Sequence, residues 1–102
     1  TTIDKPGAME TIAYGIDGSN IVGEYEDFSG KVYGFLYDGV TWTTLDKPGA
    51  TETAALGIDG NNIVGYYDDI NGRHGFIYSI PEPATVLLLG LGGLVILHRK
   101  HK

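Results

Sequence analysis

The chain has 102 residues, with 16 Gly, 4 Pro, no Cys and a formal net charge of −6. This length allows one small domain, or two repeat units plus a tail, and excludes a large enzyme with a deep buried site. The lack of Cys excludes a disulfide framework and thiolate metal sites. The acidic balance excludes nucleic acid as a partner, because a phosphate backbone needs a Lys/Arg surface.

In chain order, the first element is Thr1–Asp4, a Thr-rich strand without a unit of its own. Pro6-Gly7 then breaks the pattern. The next strand runs about Thr11 to Ile16, and Asp17-Gly18-Ser19-Asn20 marks a tight turn because Gly and Asn tolerate positive φ. Strands follow at Ile21–Glu26, Val32–Tyr37 and Thr41–Leu45, with turns at Ser29-Gly30 and Asp38-Gly39. The pattern then starts again. Thr43-Thr44-Leu45-Asp46-Lys47-Pro48-Gly49-Ala50 repeats Thr1-Thr2-Ile3-Asp4-Lys5-Pro6-Gly7-Ala8. Gly57-Ile58-Asp59-Gly60-Asn61-Asn62-Ile63-Val64-Gly65 repeats Gly15-Ile16-Asp17-Gly18-Ser19-Asn20-Ile21-Val22-Gly23. Second-copy strands are expected at Thr53–Ile58, Ile63–Asp68 and His74–Ser79, with Asn71-Gly72 as a hairpin turn. The offset is about 42 residues and falls by one after Lys31, leaving Val32 without a counterpart. About 24 of about 36 aligned pairs are identical, so residues 1–80 are a tandem repeat.

Four short antiparallel strands in about 42 residues is the size of one β-propeller blade. The fold class is therefore all-β, with units at about 1–42 and 43–80. The second unit lacks a fourth strand, and Thr1–Asp4 is a fourth strand left over. In a closed propeller such a phase lets the first strand complete the last blade. Two blades cannot close a ring, and an isolated pair has exposed edges and a thin core. The chain begins at Thr1: either a signal peptide has been removed or this is the C-terminal piece of a longer protein, and the repeat phase favours the second.

Composition changes abruptly at Pro81. Before it, Lys5, Lys31, Lys47 and Arg73 face twelve acidic residues; after it, Arg99, Lys100 and Lys102 face only Glu82. Pro81-Glu82-Pro83 holds the junction extended. An uncharged run follows, with Ala84, Val86, Leu87, Leu88, Leu89, Leu91, Leu94, Val95, Ile96 and Leu97 as its apolar residues. As a helix, Ala84–Leu97 spans about 21 Å, short of the roughly 30 Å of a bilayer core. Extension to 98 and snorkelling of the basic cluster make up length, so a transmembrane helix is expected at 84–98. Arg99, Lys100 and Lys102 form a basic stop at 99–102 that stays cytoplasmic, placing the repeat body outside.

Pro81-Glu82-Pro83, the apolar run and the basic terminus together resemble the PEP-CTERM sorting domain of Gram-negative bacteria. The resemblance implies export, transient anchoring in the inner membrane, and processing near the motif by an exosortase. It also implies association with exopolysaccharide and the extracellular matrix. The body is similar to HAF-type bacterial extracellular repeats. The shared pattern is Gly-Ile-Asp-Gly-x-Asn-Ile-Val-Gly-x-Tyr, then Gly-Phe-[Leu/Ile]-Tyr and Thr-Thr-[Ile/Leu]-Asp-Lys-Pro-Gly-Ala. Arg73-His74-Gly75-Phe76 has Gly where that family's triplet has Ala, and Lys31-Val32-Tyr33-Gly34-Phe35 departs further. This likeness implies a repeat fold and a surface location, and brings no catalytic residues.

Other candidates in the body are sparse. Asp68, Asp69 and Asn71, and the run Glu26-Asp27-Phe28-Ser29-Gly30, offer oxygens for Ca²⁺. Neither fits the EF-hand order, and Asp or Asn in a hairpin serves turn chemistry. His74 stands alone, without partners for a zinc site. No nucleophile elbow, zincin helix or phosphate loop is present, so no catalytic residue or cofactor is assigned. Tyr25, Tyr33, Tyr37, Trp42, Tyr66, Tyr67 and Tyr78 suit either a carbohydrate-stacking face or packing between sheets. Recurrence of Tyr25 as Tyr67 favours packing. The expected function is a non-catalytic surface or matrix protein; the alternatives are an exopolysaccharide-binding module or the C-terminal fragment of a larger propeller enzyme.

Overall fold

The computed structural model describes residues 1–81. They form seven strands: β1 (Glu10–Asp17), β2 (Asn20–Glu26), β3 (Val32–Tyr37), β4 (Trp42–Leu45), β5 (Glu52–Asp59), β6 (Asn62–Asp69) and β7 (Gly72–Ser79). Each expected strand from Thr11 onward is present, with ends moved by at most two residues. The strands join into one curled sheet in the order β1-β2-β3-β5-β6-β7, with β4 also paired to β3. No helix among the described residues is long and apolar enough to cross a membrane. The transmembrane helix expected at 84–98 lies outside the described residues.

The tandem repeat is carried into the backbone. In β1–β2, Thr11 pairs with Tyr25, Ala13 with Gly23 and Ile16 with Ile21; in β5–β6, Thr53 pairs with Tyr67, Ala55 with Gly65 and Ile58 with Ile63. Both hairpins slip register at the same place, at Tyr14 and at Leu56, where one extra residue bulges from the first strand. Both close through two-residue loops whose first residue, Gly18 or Gly60, has φ near +60° (61° and 60°).

Two expectations need correction. Val32 does have a counterpart: it pairs with Glu26 as Arg73 pairs with Asp68. The extra residue of the first unit lies instead in the turn, where Asp27–Lys31 replaces Asp69–Gly72. A ladder must stay in register to keep its side chains on their faces, so a length change is absorbed in a turn. The second correction concerns Thr1–Asp4, which forms no strand. Its repeat equivalent, β4, is a strand because it has the edge of β3 to pair with (Gly34 with Leu45, Phe35 with Thr44, Leu36 with Thr43).

Strands β1–β4 form one antiparallel meander and β5–β7 another, linked by a single parallel bridge, Val32 to Glu52. Side chains alternate across the pleat, so Val22 and Leu36, directly paired, share the back of the first meander. With Leu45 they pack on Ala55 and Ile63 at the front of the second, flanked by Ile58, Phe76, Tyr78 and Ile80. The main core cluster is thus the contact between one meander's back and the next one's front, and Phe35 is buried separately under Trp42 on the front of the first.

Candidate functional site

Two surfaces concern function: the point where the chain leaves the sheet, and an aromatic face on the front of both meanders.

Strand β7 ends at Ser79, and Ile80 donates its N–H to the carbonyl of Asn61 at 2.7 Å while packing against the core. Pro81 is exposed immediately afterwards. The junction is therefore pinned at Ile80 and presented to solvent one residue later. Glu82, Pro83, the apolar residues Ala84 to Leu97, and Arg99, Lys100 and Lys102 lie outside the described residues.

On the front face, Tyr25 and Tyr33 pair across β2–β3 and stack with ring centroids 5.0 Å apart. Lys5 Nζ lies 5.0 Å from the centre of the Tyr25 ring and Lys31 Nζ lies 5.1 Å from that of Tyr33. The second unit repeats this: Tyr67 meets His74 at 5.0 Å, and Lys47 Nζ lies 5.3 Å from the Tyr67 ring. Tyr25 and Tyr67 are half-buried, sandwiched between a cation and an aromatic ring rather than set inside the core. The lysines were not anticipated as ring partners. Their signal was available in Asp-Lys-Pro-Gly, which recurs in step with the tyrosines.

Between β4 and the front of β6–β7 lies an open cleft of about 330 Å³, lined by residues that include Thr43, Lys47, Tyr67, Phe76 and Tyr78. In the first unit the counterparts of Phe76 and Tyr78 are Phe35 and Tyr37, and Trp42 covers both, at centroid distances of 5.0 and 4.2 Å. Its lining mixes apolar and aromatic side chains with Thr and Lys, as small-molecule sites do.

The candidate calcium ligands have other partners. Asp68 accepts two hydrogen bonds from the Arg73 guanidinium, at 2.7 and 2.9 Å, and these hold its pKa below the ordinary range. Asp69 is held low by His74 Nε2 at 3.0 Å and by the Asn71 N–H at 2.8 Å. Asp27 accepts from the Ser29 hydroxyl and N–H, the Tyr33 hydroxyl and the Lys31 N–H, which lower its pKa to about 2. These are turn-capping and ion-pairing roles. A further network escaped the sequence. Tyr66 donates its hydroxyl to Glu52 at 2.7 Å, which raises the phenol to about 12, and the Arg73 guanidinium lies 3.9 Å from the Tyr66 ring centre.

Residues 79–100 match the family model of the PEP-CTERM protein-sorting motif. The match begins at the last residue of β7 and takes in Pro81-Glu82-Pro83, the apolar run and the first part of the basic cluster. It supports exosortase-dependent sorting across the membrane towards the cell surface. No curated protein and no solved structure matches the chain.

Proposed function

We propose that the chain is an exported bacterial surface or extracellular-matrix protein whose β-repeat body is non-catalytic and whose C-terminal signal is processed by an exosortase. The observation that carries this reading is the sorting-motif match at 79–100, set directly behind a sheet whose end is pinned at Ile80. Pinning at Ile80 leaves Pro81 exposed to a processing enzyme. The path runs through transient anchoring in the inner membrane by residues 84–98, with Arg99, Lys100 and Lys102 cytoplasmic, and ends at the surface or in the matrix. The shared register and bulge of the two meanders support the reading of two blade-like repeat units, and their HAF type rests on the sequence pattern alone.

A tag in the exposed Asp38-Gly39 turn tests the reading in cells with and without exosortase. The tagged body should reach the surface or medium with its C-terminus removed, and should stay in the membrane at full length when the exosortase is deleted. Cytosolic, full-length protein in both strains defeats the proposal.

The cleft beside Tyr67 favours a second reading, in which the body holds exopolysaccharide. A sugar ring would stack on Tyr78 beside the already sandwiched Tyr67, with Thr43 and Lys47 offering hydrogen-bond donors. Affinity electrophoresis in gels containing the producing cell's polysaccharide should show retardation that Tyr78→Ala abolishes. Equal mobility with and without polysaccharide removes this reading and leaves the sorting assignment intact.

A further inference from the structure

On the backs of the two meanders, residues at equivalent positions differ in exposure in one direction. Val22 and Leu36, on the back of the first meander, are 0% and 8% exposed, whereas their counterparts Val64 and Ile77, on the back of the second, are 47% and 75% exposed. On the front the order reverses in the first hairpin of each meander, while at the third strand Phe35 is buried under Trp42 and Phe76 is half-buried. Ile58 of the second meander packs against the core, while its counterpart Ile16 is 67% exposed. The back of the first meander is covered by the front of the second. Among the described residues the back of the second meander is uncovered, and so is the first-hairpin part of the front of the first.

The strand edges show the same mismatch. Strand β3 pairs with both β2 and β4, but among the described residues β7 pairs only with β6. The repeat equivalent of β4 is Thr1–Asp4, which lies outside any ladder.

Gly75 is an independent sign. At its counterpart Gly34, a Cβ would stand 3.3 Å from both the Leu45 carbonyl oxygen of β4 and the Ala55 nitrogen of the second meander. Glycine is needed at position 34 because a strand and a second sheet both approach it. At Gly75 the nearest atom to such a Cβ is the Gly65 carbonyl oxygen, at 3.8 Å. Nothing described in the chain crowds Gly75, yet it keeps the glycine that a fourth strand and a following sheet would require.

We propose that a second copy of this chain docks head-to-tail on β7. Its Thr1–Ile3 pairs antiparallel with Gly75–Ile77: Thr1 opposite Ile77, Thr2 opposite Phe76 and Ile3 opposite Gly75. The front of its first meander covers Val64 and Ile77. The register is that of Thr43, Thr44 and Leu45 on Leu36, Phe35 and Gly34. Thr2 of the incoming copy meets the Tyr67 hydroxyl as Thr44 meets that of Tyr25, at 2.9 Å. The main chain supplies the pairing and the buried Val and Ile supply the hydrophobic gain. The contact uses different surfaces on each copy, so it propagates until the rotation closes a ring.

The chain has no Cys, so an introduced pair reports the register cleanly. Directly opposed residues of an antiparallel pair have Cα atoms about 4.5–5.5 Å apart, within reach of a disulfide. The full chain carrying Thr1→Cys and Ile77→Cys, solubilised in detergent and mildly oxidised, should form covalent dimers and higher multiples. The pair Thr1→Cys with Ser79→Cys, two residues out of register, should form several-fold fewer. An intrachain disulfide, no disulfide, or equal linking by both pairs overturns the proposal. Gly75→Val supplies a second reading. It should leave the urea midpoint of dilute protein unchanged and abolish association by light scattering; undiminished association overturns the proposal.

Discussion

The carbonyl oxygen of Ile12 occupies the space that a side chain on Gly23 would need. A Cβ there would also stand 2.9 Å from Ala13 Cα and from Phe35 Cε2. Gly65 meets the Ala54 carbonyl oxygen in the same way. Both glycines sit opposite a bulge, where the extra residue pushes the neighbouring strand's backbone over its partner. Gly23→Ala and Gly65→Ala should each cost about 3 kcal/mol, because backbone has to move. Gly75→Ala, with open space above it, should stay within about 0.5 kcal/mol. Urea denaturation of the three variants checks the ranking.

Phe35 and Phe76 hold the same place in the two meanders but not the same burial. Phe35 is fully enclosed and touches Trp42, while Phe76 is half-buried at the cleft. Phe35→Ala should destabilise by about 3–5 kcal/mol, the range for emptying a full aromatic site. Phe76→Ala should cost clearly less, since water already reaches part of its ring. Comparing the two thermal or urea midpoints tests whether the meanders contribute unequally.

Acid should unfold the body through its turn carboxylates. Asp27 is lowered to about 2 by the Ser29 hydroxyl first and then by Tyr33 and backbone donors. Asp38 is held low by the N–H groups of Thr41 and Val40. A carboxyl whose folded pKa lies below its unfolded value adds stability above the unfolded value, and loses it as pH falls through the folded one. The stability these two groups add should therefore be intact above about pH 4 and disappear towards about pH 2. Asp27→Asn should lower stability at pH 7 and flatten that acid limb, as read from urea midpoints across a pH series.

Glu24 behaves in the opposite sense. Burial first, and then the Glu52 carboxylate, push its pKa up. A raised carboxyl favours the fold while protonated, and that gain is lost as pH rises through the folded value. Glu24→Gln should therefore raise the urea midpoint at pH 7 and leave it nearly unchanged at pH 4. A lower midpoint at pH 7 would show that the charge has a favourable partner.

The basic stop should set orientation. On the proposed topology, replacing Arg99, Lys100 and Lys102 together with Glu removes the charge that holds the C-terminus in the cytoplasm. A C-terminal reporter active only outside the cytoplasm should be silent on the parent and gain signal on the variant.

Much of this architecture was legible in the residues. Asp-Gly and Asn-Gly turns between alternating runs announced each hairpin, and the 42-residue recurrence announced that two hairpins would share one register. Two features were not legible. Alignment placed the one-residue gap at Val32, because letters carry no record of which residue faces Glu26; the ladder does, and it moved the gap into the turn. Thr1–Asp4 has the letters of a strand and no strand geometry, since an extended segment becomes a strand only against a partner edge.

By itself the sequence determined that the body is all-β, that it is a repeat, and that the C-terminus carries an address: turn chemistry, periodicity and the Pro-Glu-Pro, apolar and basic series are local properties of the chain. Tertiary structure alone decided which of two equivalent surfaces is covered. Val22 and Val64 are the same residue in the same repeat position, and only the packing of one meander's back on the next one's front buries the first and leaves the second in water.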